Sequence, residues 1–190
     1  KSGWDDNWEL SCERALADAL RQREGVEIAE LAQAARALDQ AAAAEREIAR
    51  EAQQSAEGEG IQTDQAEALA QRQADVEDIA DRVAEGVEQT APEAAKILGE
   101  ASPPLKAAQK QLQAAAQQPG EPSKPAAQQA GQQADQAAEK LAQAADEIRR
   151  QIGASAEDLA ALTGQQLDQT SDARQTVEQA VQNRPESMAE

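Results

Sequence analysis

Residues 114–141 read AAAQQPGEPSKPAAQQAGQQADQAAEKL. The stretch is either a low-complexity tether or two helices meeting at a turn, and the choice decides whether the chain is a folded object. Its breakers crowd into PGEPSKP (119–125), whereas the residues on either side are strong helix formers interrupted only by Gly131. Ala127, Ala130, Ala134, Ala137 and Leu141 then recur at 3- and 4-residue intervals, the spacing of one helix face. The stretch therefore reads as a helix end, a stop and restart, and a new helix. Gly131 beside the stripe, with few large side chains near it, marks that helix start as the weakest of the chain.

The same punctuation recurs at EGEG (57–60), TAPE (90–93), GAS (153–155) and NRP (183–185). Between these clusters the spacing predicts helices over 26–57, 62–89, 91–118, 125–152 and 156–182. They are preceded by a Trp-containing segment and short helix at 1–25 and followed by a tail at 184–190. Segments of about 28 residues make helices of about 40 Å, and similar lengths with short connections suit an up-and-down bundle. End signals agree. Gly58 and Gly60 can close a helix, and Thr90 with Glu93 fits a capping box with Pro92 in the first turn. Ser102 before Pro103-Pro104 predicts a bend or restart in the third helix, and Ser123 with Pro125 a start. Gly153 predicts a stop before Ser155 and Asp158, and Gly25 is a candidate kink.

Apolar residues keep the same phase elsewhere. The stripes are Ile28, Leu31, Ala35, Leu38, Ala42 and later Ile48; Ala66, Leu69, Val76, Ile79, Val83 and Val87; Ala144, Ile148 and Ile152; and Leu159, Leu162, Ala173, Val177 and Val181, broken by Gln166 and Thr170. The expected fold is all-α, an antiparallel up-and-down helical bundle or a chain of helical hairpins with coiled-coil-like Ala/Leu seams. Most seam residues are Ala, which lets helices approach closely but buries little area each. The bundle is therefore expected to be loosely packed, or completed by oligomerisation or by further sequence.

Ala and Gln dominate, and there is no His, Tyr or Phe, with two Trp and a single Cys. The formal charge is −18, from 18 Lys and Arg against 36 Asp and Glu. Such a surface repels phosphate backbones and anionic lipid, so no nucleic acid is expected as a partner. No apolar run is long enough for membrane insertion. Lys106 and Lys110 form a small basic island that reads as internal charge complementarity.

Chemistry-bearing patterns are sparse. Without His and with Cys12 alone, no catalytic triad and no zinc cluster can be assembled, and no glycine-rich phosphate loop occurs. Asp75, Asp78 and Asp81 fall at helical spacing on what reads as a solvated face, not in a cleft. No cofactor, metal, catalytic residue or small-molecule substrate is expected, and the chain reads as not an enzyme. The distinctive stretch is GWDDNWEL, which sets Trp4 and Trp8 four apart with Leu10 following. These three are the candidate partner contacts, because Trp is favoured where interfaces concentrate their energy. Packing over the end of the bundle is the competing reading.

Residues 66–152 contain Ala68-Leu69, a Gln-rich helix from Gln71, the Ala91-Pro92 turn with Ala94-Ala95, and the break at 119–125. This outline resembles the Gln/Ala-rich helical segments of large uncharacterised bacterial envelope-associated proteins. The resemblance implies an extracytoplasmic, membrane-tethered scaffold, although the residues themselves leave the compartment open. The expected function is a non-catalytic structural or interaction module within a larger bacterial protein, acting by helix-face association with a protein partner or with itself. The alternative is a hydrophilic stress-protection protein, disordered in dilute solution and helical on drying or crowding, which low hydrophobicity and high charge favour.

Overall fold

The computed structural model describes the backbone of residues 5–182, and the side chains of residues 15, 16, 18–176, 178 and 179. The fold is an all-α helical bundle. Its helices are α1 (Asp5–Glu57), α2 (Thr63–Val87), α3 (Pro92–Gln117) and α4 (Lys124–Gln182), with one 3-10 turn at Glu121–Ser123 leading into α4. The chain divides into two compact units, one of Gly25–Ile152 and one of Lys1–Glu24 with Gly153–Glu190.

Two helices keep close to the expected length of about 28 residues, and two run longer. α2 and α3 have 25 and 26 residues, but α1 has 53 and α4 has 59. α1 runs through Gly25, and α4 runs through Gly153 and Ser155, where a stop and restart was expected. A glycine costs a helix about 1 kcal/mol relative to Ala, yet it keeps its N–H and clashes with nothing. Among the described residues positive φ occurs at Gly60 and Gly120 alone, so Gly25 and Gly153 keep helical backbone. α3 likewise continues through Pro103-Pro104, with no restart at Ser102. The two prolines cannot donate to the carbonyls four residues back. The buried face of Ala101, Leu105, Ala108 and Leu112 offsets that loss. The start of α3 also differs. Its N-cap is Ala91 and carries no side-chain cap, so Thr90 and Glu93 form no capping box. Main-chain bonds close that turn instead, from Ala91 N–H to the Val87 carbonyl at 2.7 Å and from Ala95 N–H to Ala91 at 3.1 Å.

In the unit Gly25–Ile152 the four helices share one interior. One apolar cluster joins Leu31, Leu38, Val76, Val87, Leu98, Leu105, Leu141 and Ile148 with the Ala residues between them. The second joins Ile48, Ile61, Leu69, Leu112 and the alanines at 127, 130 and 134. The late part of α1 thus packs with the early part of α2, the late part of α3 and the early part of α4, as an antiparallel up-and-down order requires. Polar ties on the rim confirm the register. Asp39 and Gln53 on α1 meet Arg149 and Asp135 on α4, so the partners run backward along α4 as α1 advances. Arg72 on α2 reaches Glu47 and Glu51 on α1, Lys106 on α3 lies 3.7 Å from Glu77 on α2, and Lys140 on α4 lies 2.7 Å from Glu100 on α3. Each adjacent pair of helices carries such a tie, and the basic island at Lys106 finds its acidic neighbour. Exposed ties are worth about 0–1 kcal/mol each, so they accompany the packing and do not create it.

The α1–α2 and α3–α4 connections are clasped together. Gly120 N–H donates to the Ile61 carbonyl at 2.9 Å, and Ile61 N–H donates to Ser123 Oγ at 2.8 Å. Ile61 and Ser123 are both buried. Gly60, at φ +89°, lies so close to the Gly120 carbonyl that a Cβ there would collide with it. Both glycines take backbone conformations that L residues rarely adopt, and this allows the two loops to touch. The following turn of α4 is also tight. A Cβ on Gly131 would stand 2.8 Å from Gln53 Cγ and 3.1 Å from the Ala49 carbonyl oxygen. Gly131 is therefore where the α4 backbone lies against α1.

In the other unit, none of the residues whose side chains are described is buried. Half-burial recurs at Arg21 and Glu24 on α1, and at Ser155, Leu159, Thr163 and Gln166 on α4, again at 3- and 4-residue steps. The expected stripe continues past Ile152 in spacing but not in burial, because Leu162 and Ala173 are exposed. The side chains of Val177 and Val181, and the whole of 183–190 with its NRP signal, lie outside the described residues.

Candidate interaction face and a buried polar pair

Trp4 lies outside the described residues. Trp8 and Leu10 fall within the backbone of α1, and their side chains, like that of Cys12, are not among those described. The apolar surface that is described begins at the next turns. Leu16 is 63% and Leu20 48% exposed on α1, and Leu162 is 48% and Leu167 66% exposed on α4. Val26, in the bundle unit, is exposed as well. Leu16 and Leu20 are four apart and neighbour each other on one helix face. Leu162 and Leu167 are five apart, so at about 100° per residue they point some 140° apart. These segments therefore carry apolar residues on more than one face, whereas the bundle unit closes nearly all of its own.

The second feature escaped the sequence reading. Glu45 and Gln73 are both completely buried, and Gln73 Nε2 donates to Glu45 Oε1 at 2.7 Å. Glu45 stands one turn from Ala41 and Ala42 on one side and from Ile48 and Ala49 on the other. Gln73 stands between Leu69 and Val76 in the same way, so the pair marks the junction of the two apolar clusters. Burial pushes the Glu45 carboxyl up to about 8, with the Gln73 hydrogen bond acting in the opposite direction. The signal was present in the sequence: both residues keep the phase of their stripes, and a polar residue at stripe phase on two successive helices points to a buried pair. Solvent-facing groups behave differently. Lys140 holds Glu100 below the ordinary carboxylate range through its hydrogen bond and its charge, and Asp39 raises the Arg149 guanidinium.

A groove between the late part of α1 and the start of α4 has a volume of about 340 Å³ and is lined by Gln53, Ala56, Glu57, Lys124, Pro125, Gln128 and Gln132. Its chemistry is that of amides and one charge of each sign, suited to hydrogen bonding. Asp75, Asp78 and Asp81 are exposed on α2, with Asp78 bonded to Arg82. No group of three His, Cys, Asp or Glu side chains that could hold a metal ion occurs among the described residues. No helix among them is long and apolar enough to cross a membrane. Comparison with protein-family models, curated proteins and solved structures returns no match, so the functional reading rests on the residues themselves.

Proposed function

We propose that this chain is a non-catalytic structural and interaction module, part of a larger bacterial protein, which works by helix-face association with itself or with a protein partner. The observation that carries this reading is the distribution of large apolar side chains. Leu16, Leu20, Leu162 and Leu167 stand in water in a unit without a buried side chain among those described. Exposed Leu at several positions of otherwise polar helices costs solubility unless another surface covers it. The Gln/Ala-rich character of residues 66–152 fits the envelope-associated scaffolds they resemble.

Sedimentation and light scattering across a concentration series test the reading, alone and with bacterial envelope extract. The double substitutions Leu16→Gln/Leu20→Gln and Leu162→Gln/Leu167→Gln should lower association while leaving helicity intact. Association unchanged by both pairs would overturn the proposal. A coil spectrum in dilute buffer that turns helical only on drying would favour the stress-protection reading instead.

A further inference from the structure

Two atoms of the buried pair lack partners: Glu45 Oε2 and Gln73 Oε1. An ionised Glu45 leaves both stranded, because a carboxylate oxygen and an amide oxygen only accept. A single proton on Oε2 turns that atom into a donor, the one kind of group that Gln73 Oε1 lacks. We propose that Glu45 is a proton-binding site at the centre of the bundle: the folded chain holds it as the neutral acid, acid and amide close a two-bond ring, and loss of the proton loosens the packing between the two apolar clusters.

The surroundings offer the anion no compensation. At this level α1 carries Arg46 and Glu47, α2 Arg72 and Glu77, α3 Lys106 and Lys110, and α4 Asp135, Glu139 and Lys140. Arg72 is bonded to Glu47 and Glu51, Lys106 to Glu77, Lys140 to Glu100, and Asp135 accepts from Gln53. Arg46, Lys110 and Glu139 are exposed. Inside, the neighbours along the stripes are Ala, Leu, Ile and Val. A bare carboxylate there loses its hydration without gaining a counter-ion, while the neutral acid is satisfied by Gln73. The rise of the Glu45 carboxyl to about 8 points the same way.

The direct test is the carbon-13 shift of the Glu45 side-chain carboxyl in the folded wild-type chain, followed through pH. It should remain that of a neutral acid at about pH 6, where the exposed carboxyls have ionised. The second test is denaturant unfolding of wild type, Glu45→Gln and, as a control for loss of one surface charge, Glu85→Gln. Between about pH 5 and about pH 7 the wild-type unfolding constant should rise close to tenfold per pH unit more steeply than that of Glu45→Gln, and Glu85→Gln should follow wild type. Equal slopes in wild type and Glu45→Gln would overturn the proposal, and so would a Glu45 carboxyl that titrates with the surface acids. If Glu45→Gln does not fold, the carbon-13 titration decides alone.

Discussion

Ser123 Oγ accepts the main-chain N–H of Ile61 at 2.8 Å, although the two residues lie 62 apart in the chain. The same oxygen lies 2.6 Å from the Gly120 carbonyl, to which its own proton can go. One hydroxyl thus ties the two interhelical loops at the buried end of the bundle. Ser123→Ala strands the Ile61 N–H away from water, and an unsatisfied buried donor costs about 1–3 kcal/mol. Denaturant unfolding should show a loss of that size, and a loss below about 0.5 kcal/mol would mean that the loops are not held by this bond.

Two glycines in α4 should respond to Ala in opposite directions. At Gly131 the added Cβ meets Gln53 and the Ala49 carbonyl, so α4 must move away from α1. Overpacking of this kind costs about 1–3 kcal/mol, more than the helical preference of Ala returns. At Gly153 an added Cβ meets nothing, and the position is helical and exposed. Gly153→Ala should therefore stabilise by roughly 0.5–1 kcal/mol. Thermal melting of the two variants beside wild type checks both signs.

The pH dependence of stability follows from Glu45. Its carboxyl ionises near the ordinary value of 4.5 when unfolded and at about 8 when folded. Below 4.5 both states hold the proton, so the contribution is fully present. From there to about 8 only the folded state holds it, so folding takes up a proton and stability falls as pH rises. The fall approaches about 1.4 kcal/mol per pH unit for one proton. Unfolding midpoints in denaturant should therefore decline from mildly acidic to mildly alkaline pH, opposite to the trend of a salt-bridged carboxylate.

Breaking the pair on one side should cost more than removing it. Gln73→Leu leaves a buried acid with no partner, with an expected loss of about 1–3 kcal/mol. Replacing both residues by Leu removes the stranded polar group and should recover most of that loss. A double-mutant cycle measures the coupling, and additive losses would show that the two side chains do not act as a unit.

The local and periodic features were legible in the sequence. The Ala/Leu stripes from Leu31 to Ile148, the breaks after Glu57, Val87 and Gln117, and the all-α class follow from helix propensity and 3-and-4 spacing, which are properties of neighbouring residues. Gly153 and Ser155 were over-read as a break, because a helix tolerates a weak residue when its flanking turns persist. Glu45 and Gln73 were passed over because their polarity masks their phase. Whether a polar residue at that phase meets a partner depends on the second helix. Trp4, Trp8 and Leu10 stand as sequence candidates, and the structure adds Leu16, Leu20, Leu162 and Leu167 as exposed apolar residues of α1 and α4.

The sequence by itself determined which segments are helical and which face of each is apolar, since both depend on interactions within a few residues. The tertiary structure alone decided that Ser123 would serve Ile61, that Gly131 would lie against Ala49, and that Glu45 would meet Gln73 out of reach of water. Each of these joins residues far apart in the chain, and their energies exist only once four helices pack and exclude solvent.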